Sequence, residues 1–164
     1  MIHQVINSFL SLILSLTKKT VSPPRYSAIF YDKLVKLRKY KNFCLSALAV
    51  TSDDGNQLIV YVHSKLMIVD QKWFTIGSAN FVDISFEKDH TEVNISVWDE
   101  PTARNLFNTL ILEHIDENVS NMSGKEALSL FTELALQNRV KFFNKAKLKG
   151  HAFAINPETY ALEL

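Results

Sequence analysis

Residues 62–81 read VHSKLMIVDQKWFTIGSANF, and within them His63, Lys65, Asp70, Gly77, Ser78 and Asn80 stand in the pattern H-x-K-x4-D-x6-G-S-x-N. Six residues fixed at fixed spacing, each with a frequency of about 5%, recur by chance in a chain this long on the order of a few times in a million. The same stretch sets the local fold. Residues 65–69 and 73–76 are rich in Val, Ile, Trp and Phe and are parted by Asp70-Gln71-Lys72, which reads as two strands of a mostly buried sheet. On a strand, residues i and i+2 share a face, so His63 and Lys65 are expected to project together. Ser78 and Asn80 do the same if the chain there is extended, and Gly77 permits a tight backbone beside them. An imidazole, an ammonium, a hydroxyl and an amide facing one pocket suit a phosphoryl group. The cation and the amide hold its non-bridging oxygens while the imidazole attacks phosphorus. Asp70 has the opposite parity, so it is expected to point away and to act structurally, by fixing a turn.

A nucleophilic histidine needs an acceptor on its other ring nitrogen. The next acids downstream are Glu87, Asp89 and Glu92. Glu92, which opens the following strand at 93–98, is the candidate of choice.

Working outward, residues 44–50 and 58–62 read as further strands on either side of the turn Ser52-Asp53-Asp54-Gly55-Asn56. Asp99-Glu100-Pro101 opens a helix to about His114, with Asp99 as cap and proline in the first turn. Ser123-Gly124-Lys125-Glu126 fits the Ser-x-x-Glu capping box and opens a second long helix. Residues 28–41 have helical spacing of apolar side chains, and Pro23-Pro24 breaks the chain ahead of them. The tail after Gly150 looks irregular. Helices around a run of strands predict an α/β layered domain.

The first residues predict a separate element. Residues 5–16 (VINSFLSLILSL) are apolar but too short for a membrane span, which needs about 20 residues. They lack the basic lead and small-residue cleavage site of a secretory signal. The expectation is a buried or amphipathic apolar helix within residues 1–21, in a protein that is cytoplasmic or held at a membrane surface.

The composition agrees with one globular domain. The chain has 164 residues, 47% of them apolar and 21% charged, with a formal charge of +1. A nucleic-acid binder held by net charge is excluded. Local charge is uneven, however. Residues 1–50 carry eight basic side chains against Asp32 alone, and residues 139–149 carry five basic side chains and no acid. Solvated helix faces explain such runs, and so does attraction to anionic phosphates. The single cysteine, Cys44, sits in an apolar strand and reads as an inert core thiol.

The 62–81 string, followed by SFEKDHTEVNISVWD at 85–99, resembles the phospholipase D superfamily and its HKD motif. It is similar in particular to bacterial phospholipase D and the phosphatidylserine/cardiolipin synthase group, in their C-terminal half. The resemblance covers about residues 22–114 and is weaker to residue 164. It implies a layered α-β-α sandwich with a central mixed β-sheet, as one domain over 22–164 with a C-terminal helical extension. It implies that His63 forms a phosphohistidine or protonates the leaving alcohol. Lys65 and Asn80 would bind phosphate oxygens with help from Ser78, Glu92 would hydrogen-bond the histidine, and Asp70 completes the motif. Catalysis of this kind uses no metal and no cofactor. The implied substrate is a phospholipid or another phosphodiester, cleaved by water or passed to an alcohol.

The chain departs from the family in having one motif where the family site uses two. His3, His90, His114 and His151 lack a lysine two residues on. Either a homodimer shares one site, or the chain is the C-terminal half of a two-motif enzyme and needs a partner half. The short lead of 62 residues before the motif favours the second. A homodimeric nuclease and a non-catalytic remnant are the alternatives, with nucleic acid less favoured by the near-neutral charge.

Overall fold

The computed structural model describes residues 35–79 and 91–156, and residues 10–13 by their backbone. Seven strands and two long helices are described. They are β1 (Leu10–Ile13), β2 (Phe43–Thr51), β3 (Gln57–Val60), β4 (Lys65–Val69), β5 (Trp73–Gly77), β6 (Asn94–Trp98), α1 (Glu100–Ile115), α2 (Gly124–Phe143) and β7 (Ala152–Ala154). Contacts divide the chain into two compact units, one of Met1–Val62 with Ile111–Leu164 and one of His63–Leu110.

In the first unit β2 is the hub. It pairs in parallel with β1, and antiparallel with β3 and β7. Cys44, Leu45, Ser46, Ala47 and Ala49 are all buried, so both faces of β2 are covered. Small residues at 46, 47 and 49 let neighbours approach closely on both sides. The core packs Leu45, Ala47 and Ala49 with Leu148, Phe153 and Ile155, and Phe142 stacks flat on Phe153 at 4.1 Å between ring centroids. Burial pushes the Cys44 thiol up, against a smaller opposing effect of hydrogen bonding to Ser46 and Thr132. The turn between β2 and β3 closes through Ser52 N–H to Asn56 O at 2.9 Å, and the Asp54 carboxylate accepts from Ser52 and Asn56.

Helix α2 starts as its sequence predicts. The Glu126 N–H donates to the Ser123 hydroxyl and the Ser123 N–H donates to the Glu126 carboxylate. Its inner face buries Ala127, Phe131, Ala135 and Asn138. Asn138 is a polar latch. Its side-chain N–H groups donate to Lys149 O and Ala152 O, both at 2.8 Å, and its oxygen accepts from Lys149 N at 3.0 Å. The latch ties the chain that enters β7 to the helix. Gly150 follows at φ +67°, where a Cβ would strike the backbone of His114 and Ile115.

In the second unit β4, β5 and β6 form an antiparallel sheet. Helix α1 follows, capped by Asp99, whose carboxylate accepts from Thr102 N at 3.0 Å.

Helices combined with a mixed sheet are the α/β class that the sequence predicts, with the strands spread over a mixed sheet and a second, antiparallel one. Three local expectations need correction. Residues 10–13 of the expected N-terminal apolar helix form β1, because the stretch 43–46, buried from Cys44 on, offers that run a parallel partner; the rest of 1–21 lies outside the described residues. The tail after Gly150 is not wholly irregular, since β7 is buried and paired to β2 over residues 46–48. The helix expected at 28–41 is described from residue 35, and it gives way after Leu37 to turns through residue 42.

Candidate functional site

The register of the second sheet builds one end of it as a row. Lys65, the first residue of β4, lies opposite Gly77, the last of β5, and Gly77 lies opposite Asn94, the first of β6. The backbone must come close here. A Cβ at position 77 would fall inside contact distance of the Asn94 side chain and the Val93 carbonyl, so only glycine fits.

Ser78 continues the pairing beyond the strand. Its N–H donates to Val93 O and its hydroxyl oxygen accepts from Val93 N, both at 3.0 Å. The hydroxyl proton is therefore not used by Val93 and can be donated to an anion. The Ala79 N–H donates to the Asn94 side-chain oxygen at 3.1 Å, which fixes the backbone just before Asn80. Asn80 itself lies outside the described residues. Glu92 is half-buried and immediately precedes Val93, so it reaches the same end of the sheet as Lys65 and Ser78.

His63 and Lys65 do not share a strand. His63 is in the irregular stretch 61–64 ahead of β4, and the Lys65 ammonium turns back to donate to the His63 carbonyl at 2.7 Å. The period-2 rule fails because the ladder begins only at Lys65. The histidine is exposed, and the lysine holds the backbone that carries it.

Asp70 is at the other end of β4. It has φ +52°, and with Gln71 at φ +58° it makes the turn into β5, closed by Lys72 N–H to Val69 O at 3.0 Å. Two positive φ values in succession form the tight turn that suits a twisted hairpin. Five residues of strand set Asp70 about 16 Å along the chain from Lys65.

Asn94 was not among the residues the sequence singled out. Its signal is positional: it opens the apolar run 94–98 just after the candidate acid Glu92.

A family model described as "Cardiolipin synthase, PLD-like domain" matches residues 12–112, well over half of the chain. The chain belongs to this family and through it to the phospholipase D superfamily, whose chemistry is transfer at phosphodiesters. No curated protein matches the chain. The matched segment includes His63, Lys65, Asp70, Ser78, Asn80, Glu92 and Asn94; α2 and β7 lie beyond it.

Proposed function

We propose that the chain cleaves the phosphodiester of a phospholipid through a phosphohistidine on His63. The reading is supported by one observation: positions 65, 78 and 92 lie at the same end of the sheet, just after His63, inside a segment that matches a cardiolipin synthase, PLD-like family model. The imidazole nitrogen of His63 attacks phosphorus, and the bond from phosphorus to the leaving alcohol breaks. Lys65, Asn80 and the Ser78 hydroxyl offset the charge on the non-bridging oxygens. Glu92 accepts from the other ring nitrogen and stabilises the cationic imidazole. Water or a second alcohol then displaces the histidine, giving hydrolysis or phosphatidyl transfer.

The leaving alcohol needs a proton, and a single motif supplies one histidine. The donor is His63 of a second copy or the histidine of a partner half. Residues 22–164 act in this reading as one phospholipase D-like domain with a helical extension. The experiment is turnover of phosphatidylglycerol by the purified chain, with and without glycerol as acceptor. Turnover lost in His63→Asn is the expected result. Turnover that survives His63→Asn overturns the assignment.

A further inference from the structure

We propose that the C-terminal end of α2 and the loop after it form a docking patch for an anionic lipid surface. Leu136, Val140 and Phe143 are 53%, 61% and 48% exposed. Their i, i+4, i+7 spacing puts them on one face of the helix. The opposite face is already used, since Ala127, Phe131, Ala135 and Asn138 are packed in the core. The open face turns polar toward the N-terminus, at Glu133, Ser129 and Lys125, so the apolar ridge is confined to the end of the helix.

From residue 139 onward the charge beside that ridge has one sign. Residues 139–149 hold Arg139, Lys141, Lys145, Lys147 and Lys149 with no acid. Lys149 pairs with Glu117, and the Arg139 guanidinium lies 5.1 Å from the centroid of the Phe143 ring. Lys145 and Lys147 are exposed. The turn that follows the helix, closed by Ala146 N–H to Lys141 O at 2.9 Å, brings Lys145 back beside its last residues. Large apolar side chains with cations at their C-terminal end have the chemistry of a helix that lies in a membrane interface. The apolar side chains enter the acyl boundary, and the cations meet lipid phosphates. The charge complementarity selects an anionic bilayer over a neutral one. The proposal rests on the lipid reading above for its purpose, and its binding step is independent of turnover.

The test is co-sedimentation of the full chain with vesicles of phosphatidylcholine, or of phosphatidylcholine with phosphatidylglycerol. Binding to the anionic vesicles alone is expected. Val140→Asp/Phe143→Asp and, separately, Lys145→Glu/Lys147→Glu should each weaken it at least about tenfold. The lysine variant touches no packed side chain, so a folding defect cannot account for its loss. His63→Asn should bind as the parent chain does, which separates failure of docking from failure of the catalytic assignment. Equal binding to both vesicles, or binding that both patch variants retain, overturns the proposal. So does a patch variant that lowers the molar mass in solution, because the ridge is then an interface between copies.

Discussion

The side-chain oxygen of Asn94 accepts the Ala79 N–H at 3.1 Å and also occupies the space that a Cβ on Gly77 would need. One amide thus fixes the loop that leads from β5 to Asn80 and requires the glycine before it. Asn94 positions that loop. Asn94→Ala should cost about 1 kcal/mol of stability, since one exposed hydrogen bond is lost. Displacing the loop by about 1 Å should cost about a hundredfold in phosphodiester turnover. Asn94→Asp keeps the acceptor and should recover most of the rate. Kinetics and thermal melts of both variants check this.

Lys65 and Asp70 belong to the same motif and should behave differently. Lys65→Ala should remove several orders of magnitude of turnover, because it deletes the cation proposed to bind phosphate and the bond to the His63 carbonyl. Asp70→Asn lies at the far turn and should cost melting temperature, with turnover changed by less than about threefold. Parent-like stability with lost activity in Asp70→Asn would contradict the placement of Asp70 in a turn-forming role.

Asn138→Ala should destabilise the chain by about 3 kcal/mol. It leaves the Ala152 carbonyl without its partner in a buried setting, and the Lys149 N–H and carbonyl without theirs in a part-buried one. For a chain of this size the melting temperature should fall by roughly 10 °C.

His114 gives the stability a pH dependence. Its Nδ1 is buried without a hydrogen-bond partner, and burial holds its pKa below the ordinary 6.5. His151 adds to this lowering, and the Glu113 carboxylate opposes it. The unfolded chain therefore binds this proton at a pH where the folded chain does not. Stability is fully present above 6.5 and is lost as the pH falls below it. Melts from about pH 7.5 down to about pH 5.5 should show that loss, and His114→Gln should flatten it.

Local signals in the sequence were enough for part of this fold. The caps at Asp99 and Ser123 depend on residues three positions away, and the strands from 43 to 77 are bounded by their own turn residues. β1 and β7 could not be read in the same way. Each is a short stretch whose ladder is supplied by β2, far away in sequence, so tertiary pairing overrides local propensity. Positions 65 and 78 come to one end of the sheet through the hairpin register, which sets Lys65 opposite Gly77. The motif misplaced His63, which precedes the strand, and it gave no reason to choose Asn94. Asn138 carried a readable signal, since it continues the spacing of Ala127, Phe131 and Ala135 on the face that is buried.

The central claim is a covalent intermediate on His63, and trapping it is the most direct test. The chain is mixed with a phosphatidyl substrate carrying radioactive phosphorus, then quenched and digested under mildly alkaline conditions that preserve phosphohistidine. The account predicts label on the peptide that contains His63, with none in His63→Asn. Label on another residue, or turnover with no labelled peptide and no loss in His63→Asn, would contradict it.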